Sequence, residues 1–468
     1  MEISVNVLSP AELEGIHNTA LKIISKKGIR VHCPEAVRTY ESAGAEVDSA
    51  NRVKIPAALV NSALEKCIPK FSLFYRNSDL EVIFGDDRTK HNLSGWTRQI
   101  LDWRTNEHRA AMESDLVESM RVINALEEVE WARAPLICSE WKPNEIELQQ
   151  YKHGVEHSNK PLLLSASNSE TVEKIVHLGS FLAGGRKQLA EKSNFAISVG
   201  IMSPLILPQN ICEVIVACAK LDIPICFYTS SMVGASTPVT LSGTIACNHA
   251  EIISATVLAK LINPDARILY LNYSKPFDMQ CADISSGSPE FGLLAAAQYQ
   301  AGKYIGIPSG SGMFYTNSPQ LDMQAGFEKM GGALLSSVGG IDFSCGMGCL
   351  ANAAIHSLEA LVFDAELVDY NSRLLRGINC DEDHLNFEIF EEVEPMGDFL
   401  SSRHTLKFFR NELLQPKVAY RGSYASWSDG GKTGSMRNNV REFIEQTIGN
   451  DQSPGLAETF IDEFSKIK

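Results

Sequence analysis

The sequence predicts an α/β protein, a (β/α)8 TIM barrel with an N-terminal helical/mixed subdomain and a C-terminal helical extension. Seven short apolar runs alternate with amphipathic stretches: "APLIC" (134–138), "PLLLSAS" (161–167), "FAISVG" (195–200), "IPICFYTSS" (223–231), "ARILYLNY" (266–273), "YIGIPSGSG" (304–312) and "GGIDFSCGMG" (339–348). Their starts lie 27 to 43 residues apart, from the 134-to-161 step to the 223-to-266 step, the length that a parallel crossover with its helix requires. Several runs end in small polar residues just before a helical stretch, as strand ends do at the catalytic face of a barrel. No G-x-G-x-x-G follows a first strand to support an open doubly wound sheet. Seven positions are visible, so the eighth is expected in 88–103.

The segment before the barrel, 1–90, opens with "SPAELEGIHNTALKIISKKG", where Ser9 is placed to cap a helix, Pro10 to occupy its first turn and Gly28 to end it. "FSLFYRN" and "LEVIFGDD" then read as strands. The barrel core is assigned to 91–365. Its run ends supply the site candidates Ser165, Ser167, Ser198, Tyr228, Ser230, Tyr270, Tyr273, Ser309, Ser311 and Cys345. Past 365 the chain reads as helical and charged, a C-terminal extension (366–468) with a polar loop at 421–435.

With 468 residues, 44% of them hydrophobic, the chain can bury a large core without disulfide staples. Its eleven cysteines, an odd number without scaffold spacing, read as reduced thiols. No run of about 18 uninterrupted apolar residues reads as a membrane span, and the N-terminus lacks a basic then apolar signal pattern; a cytoplasmic location is expected. Lys and Arg number 42 against 57 Asp and Glu, a net charge of −15. That balance disfavours nucleic acid and suits a small cationic substrate.

Cys345 and Cys349 flank the "CGMG" turn. A radical-cluster C-x-x-x-C-x-x-C is ruled out because Asn352 stands at the third position. Zinc would need two further ligands, with His356 the one nearby candidate; packing at the barrel mouth requires nothing more, and no metal site is assigned. H-E-x-x-H, G-x-x-x-x-G-K-[ST] and G-x-S-x-G are absent. Lys160, Lys260 and Lys303 fall before a strand or inside a helix, and are expected to be solvated. A barrel lyase or aldolase using a lysine imine, or a non-catalytic amine-binding protein, therefore stays an alternative. Glu290, in the first turn after Ser288 and Pro289, either complements the helix dipole or, with Asp278 and Asp283, forms an anionic wall. Tyr228, Tyr270, Tyr273 and Tyr315 could add the aromatic faces that hold quaternary ammonium groups. No acid/base residue is assigned.

Five segments add a resemblance: 237–264, "SGSPEFGLLAAAQYQAGKYIGIP" (286–308), "DMQAGFEKMGGALLSSVGGIDF" (322–343), 358–378 and "HTLKFFRNELLQPKVAYR" (404–421). In order and together, they make the chain similar to the trimethylamine methyltransferase superfamily, the corrinoid-dependent amine methyltransferases. The resemblance implies transfer of a methyl group from an amine to the Co(I) of a corrinoid carried by a small partner protein; the D-x-H-x-x-G of such carriers is absent from this chain. It further implies the branch without pyrrolysine, which acts on quaternary amines such as glycine betaine, and loosely a homo-oligomer. Substrate contacts are then expected from Tyr228, Tyr270, Tyr273, Asp278, Glu290, Ser311, Cys345 and His356, with Gly310, Gly346 and Gly348 leaving room for backbone or corrinoid. Where relatives carry "PGAP" and "GPGGHF" this chain has "PDAR" (264–267) and "EPMGDF" (394–399).

Overall fold

The computed structural model describes residues 5–430 and 434–467. At its centre is a curled, all-parallel seven-stranded sheet backed by helices. Its strands are β1 (Lys90–Leu93), β2 (Leu162–Ser165), β3 (Phe195–Ile201), β4 (Ile225–Thr229), β5 (Ile268–Asn272), β6 (Ser309–Gly312) and β7 (Phe343–Met347), in the order β1-β7-β6-β5-β4-β3-β2. Six of the seven predicted runs hold β2 to β7. The "APLIC" run does not form a strand; its Leu136 makes one isolated bridge to Thr97. The chain reaches the sheet just upstream, where Ala132 bridges Leu162 in parallel. The other new edge, β1, lies inside the 88–103 window, and its "KHNL" composition conceals it from a search for apolar runs.

Side chains alternate across the strands. One face, with Leu163, Ala196, Cys226, Leu269, Leu271, Phe343 and Cys345, points into the curl and packs around Trp131. The other, including Leu164, Ile197, Phe227 and Tyr270, packs against the helices. The two predicted N-terminal strands form the antiparallel hairpin Phe71–Phe74 and Glu81–Phe84, which drives Phe71, Leu73, Val82 and Phe84 into the inner core. Phe84 meets Trp131 and Phe343 edge-on at 4.9 and 5.6 Å between ring centroids, the geometry aromatic pairs prefer. This plug fills the N-terminal end of the curl and leaves the strand C-termini as the mouth.

Ser9 caps the helix Pro10–Lys22 as expected, with Pro10 at its start, and Glu12 adds a capping box. The helix Leu241–Ile262 is long and apolar enough to cross a membrane by composition. Here it is buried from Thr244 to Lys260 and packed against five other helices. Its one buried carboxylate is matched: Glu251 accepts 2.8 Å hydrogen bonds from Ser203 Oγ and the Leu205 N–H. Two lysines expected in solvent are buried instead. Lys160 donates to the Ile123 and Leu126 carbonyls, and Lys260 to those of Lys66, Pro264 and Ala266; in both cases backbone carbonyls satisfy the buried ammonium. Lys303 is half-exposed and pairs with Asp87 at 2.6 Å. Beyond 375 the chain forms short helices, including Arg403–Glu412 and Met436–Gly449. Of the loop read at 421–435, Tyr424–Asp429 is helical and 431–433 lie outside the described residues.

Candidate functional site

The inward residues nearest the strand C-termini define the candidate site. Ser165 ends β2 and Ser198 lies in β3; their hydroxyls are 3.0 Å apart. Between them lies Arg133, whose Nη2 donates to Ser198 Oγ at 2.7 Å and Ser165 Oγ at 3.2 Å, and whose Nε donates to the Leu163 carbonyl at 3.3 Å. Trp96 Nε1 also donates to Ser165 Oγ, at 2.9 Å. Trp96 adopts φ +66°, a left-handed conformation that costs a bulky residue energy and gathers at functional sites. The preceding Gly95 is required by packing, because a Cβ there would sit 2.4 Å from Arg133 Cδ.

Across the mouth stand three tyrosines. Tyr228 and Tyr273 meet nearly perpendicular at 5.7 Å, and Tyr273 and Tyr315 at 6.3 Å. Gly200 makes room for Tyr228, whose Cζ would be 2.7 Å from a Cβ at that position. Tyr273 packs against the cluster that holds Cys345, and burial pushes that thiol up to about 11, so it is a neutral wall group. Lys275 Nζ lies 4.4 Å above the Tyr315 ring, and burial lowers its pKa to about 8. Asn92, in register with Cys345 and fully buried, has an Nδ2 with no hydrogen-bond partner. Among the described residues neither Arg133 nor Lys275 has a carboxylate within ion-pair distance. A buried cation without a counter-ion is costly unless a ligand supplies one.

Of the sequence candidates, Tyr228, Tyr273 and Cys345 come together here, joined by Tyr315, Ser165 and Ser198. Several others go elsewhere. Tyr270 points outward from β5 and is buried 3.3 Å from His249 Nδ1. Ser311 points outward beside Asn272 and donates to its carbonyl. Asp278, Asp283 and Glu290 are exposed, and among the described residues none of them pairs with Arg133 or Lys275. His356 lies on a two-residue strand ahead of the following helix and is buried 3.2 Å from Ser119 Oγ, with burial lowering its pKa to about 4. The space beside each expected glycine is taken by protein: a Cβ on Gly310 would sit 2.3 Å from the Phe343 carbonyl, on Gly346 2.1 Å from that of Met313, and on Gly348 2.9 Å from the His356 ring. These glycines serve internal packing. Arg133, Lys275 and Trp96 were not singled out from sequence; the signal available for Arg133 was a cation immediately before an apolar run.

The family model for trimethylamine methyltransferase matches residues 2–466. The chain belongs to this family of amine methyltransferases. It is 26% identical to a glycine betaine methyltransferase of Desulfitobacterium hafniense, over 96% of this chain and 94% of that one. It is 25% identical to the trimethylamine methyltransferase MttB of Methanosarcina barkeri, over 98% and 94% respectively. In structure it resembles the monomethylamine methyltransferase of Methanosarcina barkeri, with a TM-score of 0.54 at 12% identity over 95% of this chain and 89% of that one, a likeness of fold.

The two cysteines of the "CGMG" turn are packing groups. Cys345 packs on Tyr273, while Cys349 Sγ lies 3.7 Å from the Phe314 carbonyl, its thiol also pushed by burial to about 11. The turn between them is held from behind: Asp364 accepts from the Gly348 N–H and from Lys329 Nζ, each at 2.8 Å. All eleven cysteines are free.

Proposed function

We propose that the chain moves a methyl group from a quaternary ammonium substrate of the betaine type to the Co(I) of a corrinoid brought by a small partner protein. The observation that carries this reading is the pairing, at one mouth, of a tyrosine cluster with two cations that lack carboxylate partners. Tyr228, Tyr273 and Tyr315 offer ring faces to a quaternary ammonium. Arg133, aided by Lys275, offers a carboxylate the charge-assisted hydrogen bonds it seeks. A simple amine cation would meet two like charges with nothing to offset them. A zwitterion satisfies both halves.

The chemistry asks little more of the protein. When the N–CH3 bond breaks, its electron pair stays on nitrogen and the leaving group is a neutral tertiary amine, so no general acid is required. The residues at the mouth need to hold one methyl outward and exclude water, so that binding supplies the orientation. The corrinoid acts as a co-substrate delivered to the mouth; its partner docks there, beside the exposed Trp96. We also propose that residues 131–133 occupy the eighth position and complete a (β/α)8 barrel, since Ala132 pairs with β2 and Glu130 Oε2 accepts from the His91 N–H of β1. The division into 1–90, 91–365 and 366–468 is proposed with it.

The test is methylation of cob(I)alamin, alone and on the native carrier, followed at the Co(I) absorbance band. Glycine betaine, proline betaine and carnitine are set against choline and trimethylamine. Loss of the band with a carboxylated quaternary amine is expected. No loss with any quaternary amine would overturn the reading.

A further inference from the structure

Away from the mouth, the helix Ile146–His157 packs on the outside of the barrel against β2 and the helices Glu113–Ala125 and Ser169–Ala183. It carries "HGVEH" at 153–157. Spacings of three and four residues place His153, Glu156 and His157 on one helical face, and one ligand atom from each lies within 4.8 Å of the others. This is H-x-x-E-H, the reverse of the H-E-x-x-H order.

The histidine at its centre behaves as an unfinished ligand. His153 is 3% exposed, and neither ring nitrogen has a properly aligned hydrogen-bond partner. Its Nε2 faces Glu113 Oε1 at 3.2 Å, and its Nδ1 faces Glu156 Oε2 at 3.9 Å. Glu113 is itself held by Trp141 Nε1 at 3.0 Å, the carboxylate-behind-histidine arrangement that fixes the ring of a metal ligand. Trp141 stacks on one face of His153 at 5.7 Å, and the His157 ring lies parallel to it at 5.9 Å. His157 Nδ1 is 3.0 Å from Ser453 Oγ, and the Gly455 N–H donates to the Glu156 carbonyl. The cluster therefore sits where the C-terminal segment crosses the barrel. The nearby cations are already engaged, Lys152 with Glu156 at 3.8 Å and Arg121 with Asp451 at 2.6 Å.

We propose that His153, Glu156 and His157 bind a divalent first-row cation of the zinc class, with water completing its shell, and that the bound cation fastens the 451–456 segment to this helix. Two imidazoles with one carboxylate select such ions over magnesium or calcium, which take all-oxygen sites. The cation is structural and takes no part in methyl transfer.

The test uses the full-length protein stripped with chelator and titrated with Co2+, read by its visible d–d bands, and then with Zn2+ in competition with a chromophoric chelator. One equivalent is expected to bind, with affinity falling at least tenfold in Glu156→Gln and in His157→Gln. It should be unchanged in Cys281→Ser, which removes an exposed thiol. Zn2+ should raise the thermal midpoint of the parent and not of Glu156→Gln, a near-isosteric change at a partly exposed position. Absence of stoichiometric binding, or binding and midpoint shifts unaltered by both substitutions, would overturn the site.

Discussion

At the N-terminal end of the barrel, cations are matched. Lys90 pairs with Asp86, Lys303 with Asp87, and Lys417 with Glu128 and Asp369. A cavity of about 1080 Å3 opens among them, and the aromatic plug of Phe84, Trp131 and Phe343 lies nearby. At the C-terminal end Arg133 and Lys275 have only hydroxyls, a carbonyl and a ring face. At the paired end each of these cations already has a carboxylate, so none of them waits for a ligand. At the unpaired end an anionic ligand would supply the counter-ion these two cations lack, as the proposed function requires, and this is the end where barrel enzymes place their chemistry.

The contrast can be broken most strongly at the plug. Trp131→Ala removes the ring that Phe84 and Phe343 clasp and should cost about 3–5 kcal/mol of stability, measured by denaturant unfolding. Substrate affinity of the molecules that remain folded should hold. At the mouth, Arg133→Gln should weaken a carboxylated substrate by about 2 kcal/mol while unfolding at nearly the parent midpoint; calorimetric titration and a melt measure both. Tyr273→Ala should cost about 1–2 kcal/mol of binding to any quaternary ammonium, with or without a carboxylate, which separates the cage from the anchor.

A smaller effect is expected with pH. Since burial places Lys275 at about 8, its ammonium is present below that value and is lost as pH rises through it. Carboxylate binding should therefore be steady from pH 6.5 to 7.5 and decline above 8, and Lys275→Met should flatten the profile; a parent profile that rises above pH 8 would contradict this sign. The smallest change is at the paired end. Lys303→Met removes a half-exposed pair and should alter stability by no more than about 0.5 kcal/mol and leave binding untouched.

Much of the frame was legible because strands in a covered parallel sheet are apolar runs. β2, β3, β4, β5 and β7 lie within or nearly within such runs, and β6 occupies the end of one. β1 was hidden by Lys90, His91 and Asn92: Asp86 partners the first and Ser344 the second, while Asn92 accepts from the Leu93 N–H and leaves its Nδ2 unpaired inside the barrel. The site was less legible because a run end does not say which face a side chain takes. Tyr270 and Tyr273 lie three residues apart, so alternation sends them to opposite sides; the same rule turns Ser311 away from the mouth while Gly312 faces in. Arg133 escaped notice because the apolar run after it drew attention to 134–138, while the chain meets the sheet at Ala132. The lysines followed burial rather than charge, because backbone carbonyls satisfied Lys160 and Lys260.

The most direct measurement compares initial rates of Co(I) loss for glycine betaine and choline, which differ in their carboxylate, with parent protein and Arg133→Gln on the same carrier. The account predicts a clear preference of the parent for the carboxylated substrate, and collapse of that preference, mainly through KM, in the variant. Equal rates with both substrates in the parent, or a preference that survives Arg133→Gln, would contradict it.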